Sequence, residues 1–428
     1  MHFGFRNSAP RLLPALVMFT ILCSTSVRAQ SSPDRADPGE LLQRLQNKID
    51  QLEASQKLMQ EKIDHMGAAA PAAQPPEAAA PPPGETIEAQ PEAPLAHVLG
   101  PVQLHGFSDI DYGRAWFEKL PPGGLKGSTN SFTVGDFDLY TNTQLSESWN
   151  MLGEMLVSSD FSNEFSVEMD RLLLTYKKND YFKISFGKFA SALGYYTNQF
   201  HRAQYFQTGI GRPIMYADED NNGILPVHNI GVTATGLIPS GRLGLHWVAE
   251  VANGRSSTHP DIPLQNFVDD NNGKAVNLAF YARPEKINGL QVGVSLYHET
   301  LHPLNLPQVG EVIVTAHAVY VGSKLEWLNE GSLLRHSLKN QNQTFYDPTA
   351  YTQVSWAFGK TRPYFRYDYQ NVPGGDPIFG SLARLNGPSL GVNRHLSNYV
   401  ILKLQYGRLA ERQVSSTNDF SSQLAFAF

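Results

Sequence analysis

The nine residues from Phe420 to Phe428 constrain this 428-residue chain more than any other stretch. Phe420, Leu424, Phe426 and Phe428 share one parity, while Ser421, Gln423, Ala425 and Ala427 take the other. A period of two is a strand with one apolar and one small or polar face. A soluble sandwich could end this way too. A strand of this length, apolar outward and stopping on an aromatic, is what closes a lipid-embedded barrel.

The opposite end reads as an export signal, residues 1–29. Arg6 and Arg11 precede a mostly apolar run from Leu12 to Cys23, and Val27-Arg28-Ala29 offers a small-residue cleavage site before Gln30. That run is too short for a bilayer, which takes about 20 residues. Cys23 is the only cysteine and is preceded by Leu22, not by the small residue a lipoprotein signal needs, so the mature chain has no disulfide framework. Removing three arginines from the 34 basic residues leaves 31 against 40 acids, a formal charge of −9. That balance disfavours nucleic acid as a partner. Beyond the signal no apolar run approaches about 18 residues, so helical membrane spans are excluded while barrel strands are not.

Residues 30–66 change to heptads. Leu42, Ile49, Gln56 and Ile63 fall at one seam position and Leu45, Leu52, Met59 and Met66 at the other. Asp37 with Pro38 and Glu40 signposts the start of a helix, and Gly67 its end. So short a helix is marginal alone in water, which implies self-association as a coiled coil, with Gln56 setting register or strand number; packing of the helix on the following domain is the alternative. Residues 67–101, rich in Ala, Pro and Glu, read as an extended linker.

From Val102 to Phe428 the period is two throughout. Sixteen strands are predicted, at 102–117, 132–145, 149–159, 165–177, 181–189, 228–238, 243–253, 274–283, 290–299, 312–320, 323–330, 348–358, 363–369, 387–397, 399–408 and 420–428. Counted back from Phe428, one set of connections is short, as at 146–148, 178–180 and 321–322. The other set is mostly long, as at 118–131, 190–227, 254–273, 331–347 and 370–386. That asymmetry and the even count fit an antiparallel transmembrane β-barrel, an all-β fold preceded here by a short coiled-coil helix. Trp149, Tyr176, Trp247, Trp356, Phe358, Tyr369, Tyr406 and Phe428 recur on strands, several near their ends, where amphipathic rings suit a water–lipid boundary.

On signal, topology and terminal aromatic, residues 102–428 resemble the sixteen-stranded porins of Gram-negative outer membranes. The added coiled coil and Ala/Pro linker look like the DcaP-type trimeric porins. The phosphate-selective porins O and P are neighbours whose dense Arg/Lys ladder is missing here. The resemblance implies an outer-membrane location with the N-terminal segment in the periplasm, a homotrimer, membrane lipids around the wall, and passive diffusion of small hydrophilic solutes without cofactor or enzymatic activity. It also implies that the third external loop, 190–227, folds into the barrel and narrows it.

That loop carries Arg202, Arg212, Tyr216 and the run Asp218-Glu219-Asp220, candidates for the constriction. On the strands the polar parity sends Asp109, Asp111, Asp136, Asp138, Glu168 and Asp170 inward from the first four, and Lys183, Arg283, Arg366 and Lys403 inward from later ones. Asp368 shares the face of Arg366. Opposite charges on different arcs of a water-filled wall set up a field across it.

His298-Glu299-Thr300-Leu301-His302 matches the H-E-x-x-H of helical zinc proteases, with Glu330 downstream. It continues the alternation of Leu290, Val292, Val294 and Leu296 and is followed by Pro303. On a strand residues four apart stand roughly 13 Å from each other, too far to share one zinc. No metal site is expected. Two other readings remain: a structural tether to the cell wall through the N-terminal helix, and an outer-membrane hydrolase.

Overall fold

The computed structural model describes residues 102–118, 128–159, 164–200, 204–217, 223–256, 268–303, 306–380, 382, 384–412 and 416–428. The export signal, coiled coil and linker lie outside the described residues, as do Arg202, Asp218, Glu219 and Asp220.

Sixteen strands run in chain order: β1 Val102–Phe117, β2 Ser128–Gln144, β3 Trp149–Ser159, β4 Phe165–Asn179, β5 Phe182–Ala190, β6 His228–Ile238, β7 Leu245–Ala252, β8 Ala275–Ala282, β9 Leu290–Leu301, β10 Val309–Val321, β11 Leu325–Leu338, β12 Thr344–Trp356, β13 Thr361–Gln370, β14 Leu385–His395, β15 Val400–Glu411 and β16 Thr417–Ala427. Each pairs antiparallel with its sequence neighbours, and β1 pairs with β16, from Phe107 opposite Ala427 to Phe117 opposite Thr417. The sheet is a closed barrel. Closure leaves no edge strand, so every strand satisfies its backbone groups within the ring, the condition for standing in hydrocarbon. Gly106 and Phe428 exchange two backbone hydrogen bonds of 2.9 Å, which bring the last residue into the seam.

Polarity is inverted relative to a soluble barrel. Phe132, Phe165, Val167, Val294, Leu296 and Leu390 point outward and are each at least half exposed. The buried set includes Asp109, Asp138, Glu250, Glu326, Glu330, Asp347, Arg366 and Lys403. An apolar exterior over a polar interior is the pattern of a barrel embedded in lipid. Exposed aromatics gather at the end carrying the short turns: Trp149, Tyr181, Phe182, Trp356, Phe358, Tyr399 and Phe428. Trp149 and Tyr176 lie 5.1 Å apart there, and Phe182 and Trp247 6.3 Å. Those rings form half a girdle.

The short-turn end joins strands through 145–148, 180–181, 239–244, 283–289, 322–324, 357–360 and 396–399. At the other end 118–127, 191–227, 253–274 and 371–384 are long, as expected. The connection predicted at 331–347 is not. β11 and β12 run on past its expected ends to a turn of 339–343, with Asn340 at a positive φ of 65°. Gly331, Ser332 and the charges after them read as loop because the inner face here carries polar and ionic groups. In the barrel those groups are paired across strands, His336 with Glu311 at 2.8 Å and with Asp347 at 3.3 Å.

Two bulges adjust the inner face on the first arc. Between Ser108 and Ile110 the pairing of β1 with β2 shifts, and Asp109 alone faces two residues of β2. Between Glu154 and Met155 it shifts again on β4, where Arg171 and Met169 both find partners and Asp170 is the extra residue. A bulge of this kind re-aims side chains without breaking the ladder.

Gly187 on β5 has φ +130°, and a Cβ there would sit 1.9 Å from the Leu172 carbonyl oxygen of β4. Both features exclude other residues. Gly187→Ala is expected to destabilise the folded barrel by about 1–3 kcal/mol, read as a lower temperature for loss of the compact band on unheated SDS gels. Gly113→Ala, whose Cβ meets nothing within 4 Å, should leave that temperature unchanged.

Candidate functional site

The third external connection, 191–227, does not stay outside. It enters the barrel, turns through a short helix α1, Tyr196–Gln199, and is bonded to inward side chains of strands from β7 to β15. A loop in this position carries backbone amides that need acceptors. The wall supplies them with carboxylates. Glu330 of β11 accepts from the amides of Tyr195 (2.5 Å) and Tyr196 (3.0 Å) and from the hydroxyls of Tyr216 (2.7 Å) and Tyr351 (2.6 Å). Burial pushes the phenols of Tyr196 and Tyr216 up from their ordinary range, so both remain donors. Glu250 of β7 accepts from the Ala192 amide at 3.1 Å and from Asn277 at 2.7 Å. Glu326 accepts from Thr208 at 3.0 Å, and Asp368 from the Ile214 amide at 3.0 Å.

Cations take the loop's carbonyls. Lys403 of β15 donates to Gln204 O (2.5 Å) and Gly209 O (3.1 Å), and Arg366 of β13 to Gly211 O (2.8 Å) while also paired with Asp368 at 2.9 Å. Tyr205 donates to the Asn398 carbonyl, and Phe206 lies 5.0 Å from Phe107 of β1. An apolar face fixes the rest: Leu193, Met215, Ile224 and Leu225 of the loop cluster with Leu301, Ile313, Leu328 and Leu334 of the wall. Those inward apolar residues of β9 to β11 are fully buried only because the loop covers them.

The residues expected at the pore therefore divide. Arg366 and Lys403 are on the inner wall, as their parity requires, but they lie beneath the loop and hold it. Tyr216 is wholly buried in the same anchor, and Arg212 is half-buried on the loop. Asp109, Asp111, Asp136, Asp138, Glu168 and Asp170 gather on the inner face of β1, β2 and β4. Arg171 stands among them in contact with Glu154, and Lys188 bonds Glu168 at 2.7 Å. Lys183 is half-buried on β5. Arg283 is exposed. Its Nε donates to Gln291 at 2.7 Å, and its guanidinium stacks over Tyr281 at 5.1 Å.

Beside the loop a cavity of about 330 Å³ lies between α1 and the wall of β4 to β10, with Arg171, Tyr195, Glu250, Arg283 and His317 on its lining. A second, of about 560 Å³, continues past Arg283 toward the short turn at 284–289. Both are lined by Tyr195, Gln199, Arg283 and Gln291. These four residues are the collar where the two spaces meet.

Sequence parity could not assign Glu250, Glu326 and Glu330 to the loop. Their signal is a mixed face: on β11, Glu326, Leu328 and Glu330 share one parity, a surface neither wet nor greasy. Arg171 escaped because the bulge at Asp170 changes parity beside it. In His298–His302, His298 is exposed on the outside of β9 while Glu299 is buried inside, bonded to the Arg255 amide and the Tyr297 hydroxyl. The motif does not converge on one metal.

The fold, a closed sixteen-stranded barrel with an inward third loop, is similar to that of solved outer-membrane porins. Solved structures share the architecture: an anion-selective porin from Comamonas acidovorans has a TM-score of 0.54 at 12% identity, covering 77% of this chain and 99% of its own. The outer-membrane channel DcaP of Acinetobacter baumannii has 0.52 at 13%, covering 76% and 97%. OmpT of Vibrio cholerae, in a trimer form, has 0.50 at 11%, covering 76% and 99%. At these identities the likeness is one of fold. No protein-family model matches the chain, and no curated protein matches it in sequence.

Glu330→Ala would leave two amides and the Tyr351 hydroxyl of the anchor without this acceptor, while the Tyr216 hydroxyl keeps the Leu193 carbonyl at 3.1 Å, at about 1–3 kcal/mol for each group left buried and unpaired. The expected outcome is a barrel that still assembles but whose loop is released, seen in planar bilayers as larger and noisier single-channel currents. Unchanged current steps would show that the carboxylate does not position the loop.

Proposed function

We propose that this protein is a passive diffusion channel of a bacterial outer membrane, taking small hydrophilic solutes, and not an enzyme. The observation that carries this reading is the pair of adjoining cavities inside a closed barrel with a greasy exterior, meeting at a collar made by α1 and Arg283. A solute passing the collar exchanges water for Gln199, Gln291 and the Tyr195 ring, and meets the Arg283 guanidinium. Low-dielectric walls strengthen that charge. The acids of β1, β2 and β4 stand on a separate arc from Arg283, so a dipolar solute is turned as it passes.

Asp218, Glu219 and Asp220 follow the buried Tyr216 in sequence, which favours their hanging near the same passage with Arg202 and Arg212 in the surrounding loop. Membrane lipid surrounds the wall. The heptads of residues 30–66 supply a periplasmic coiled coil for a homotrimer, with residues 67–101 as the spacer to the barrel. Its use as a tether to the cell wall is compatible with transport and separable from it. Deleting residues 30–101 should weaken the oligomer and spare the channel.

Planar-bilayer recording of the refolded protein is expected to show ohmic channels. Arg283→Gln should shift the permeability ratio toward cations, and neutral replacements at Asp218, Glu219 and Asp220 should shift it toward anions. A folded protein that never conducts overturns the channel reading; an unshifted ratio in the triple variant places those three acids in bulk solvent.

A further inference from the structure

At the outer ends of β9 to β12, away from the collar, four carboxylates and a histidine are sealed inside the barrel. Glu299 and Glu311 lie opposite each other on β9 and β10, and Glu311 lies opposite His336 on β11, so the three form one row on the inner face. Asp347 comes from β12, and Asp376 reaches in from the 371–384 loop. The side chains of His336, Glu311 and Asp347 have no solvent exposure, and neither does that of Asp376 as it meets His336.

The bonding within this group is asymmetric. His336 Nε2 faces Glu311 Oε2 at 2.8 Å, while Nδ1 faces two acids at once, Asp376 Oδ2 at 2.7 Å and Asp347 Oδ2 at 3.3 Å. One ring hydrogen can serve only one of the two. Asp376 takes it, and both oxygens of Asp347 hydrogen-bond to nothing among the described residues. The other oxygen of Asp376 is committed, accepting the amides of Ile378 and Phe379 at 2.8 and 2.7 Å. A fully buried carboxylate aimed at an imidazole nitrogen without a hydrogen bond is costly, and needs a positive partner. Arg255 is the one guanidinium in the group, and it is bound to Glu311 and Glu299 at 3.2 and 3.5 Å.

We propose that His336, Asp347 and Asp376 form a binding site for a divalent transition-metal ion, with Zn²⁺ as the probe, that staples the 371–384 loop to the barrel wall. The three ligand atoms lie within 4.8 Å of one another. A tetrahedral zinc site places its ligand atoms roughly 3.4 Å apart at bond lengths of about 2.1 Å, so Asp347 is already at the spacing and Asp376 needs only to open slightly. The second nitrogen of the imidazole is oriented by Glu311, the outer carboxylate that a metal-bound histidine ordinarily has. One nitrogen and two carboxylate oxygens favour a first-row transition ion over Ca²⁺ or Mg²⁺, which take oxygen ligands alone. A dication also answers the charge: four carboxylates face one guanidinium and one imidazole. Bound there, the ion fixes Asp376 and with it Phe379, whose ring lies 5.5 Å from His336 and belongs to the apolar cluster that holds the third loop.

The test is metal retention. Untagged full-length protein, refolded in detergent free of lipopolysaccharide and in the presence of Zn²⁺, is desalted and its zinc counted by atomic emission, then titrated by calorimetry after chelation. One Zn²⁺ per chain is expected, with weaker retention of Ca²⁺ and Mg²⁺ and a melting temperature that rises with added Zn²⁺. Asp347→Asn keeps the shape and should lower affinity at least about tenfold. His336→Ala should abolish binding, and if that variant does not fold, Asp347→Asn decides. His395→Ala, exposed at the end of β14, should bind as the parent does. No stoichiometric zinc, or zinc retained equally by Asp347→Asn, or zinc lost through His395→Ala, overturns the proposal; in those cases a proton alone bridges the histidine and its acids.

Discussion

A loop drawn into a closed strand ring brings its backbone amides and carbonyls with it, and each must find a partner away from bulk water. Here the partners are carboxyl, amine and guanidine side chains of the wall. Glu330 gathers two amides and two tyrosine hydroxyls; Lys403 and Arg366 gather carbonyls from the opposite side of the loop. Hydrogen bonds to charged groups are worth more than neutral ones, of order 1.5–3 kcal/mol each. They are also directional, so the same bonds that stabilise the loop fix where its α1 segment stands relative to Arg283. The width and charge of the passage follow from that placement.

The remaining architecture serves this arrangement. The ring closes between β1 and β16, leaving lipid to face the apolar parity and the lumen to face the polar one. On the first four strands the inner surface is carboxylate-rich. Where the loop covers the wall, on β9 to β12, inward positions become Ile313, Leu328, Leu334 and Tyr351. The interior is thus two surfaces, one rich in carboxylates and one packed like an ordinary core, and the two cavities lie between α1 and the wall of β4 to β10.

Much of the fold was legible in the sequence because a lipid-facing strand must alternate, and alternation survives without any knowledge of partners. Each of the sixteen predicted strands overlaps an observed one, though β11 and β12 run longer than expected. The error at 331–347 arose because ion pairs across strands, such as Glu311 with His336, look like loop when read one strand at a time. Inward orientation was equally legible for Asp109, Asp138 and Arg283. What parity cannot distinguish is an inward charge that meets water from one that meets a folded-in loop, as Arg366 and Lys403 do. That difference depends on residues far away in the chain, since Lys403 binds Gln204 and Gly209. The bland-looking mixed face of β11, with Leu328 between Glu326 and Glu330, was the one local trace of the loop's footprint.

Hydrogen–deuterium exchange of the loop amides tests the account most directly. If the loop is held inside by wall carboxylates, the amides of Ala192, Tyr195, Tyr196 and Ile214 should exchange as slowly as those of the neighbouring strands, in a peptide otherwise lacking regular structure. Exchange at the rate of an exposed external loop would mean that it is not anchored in the barrel, and the passage described beside it would not exist.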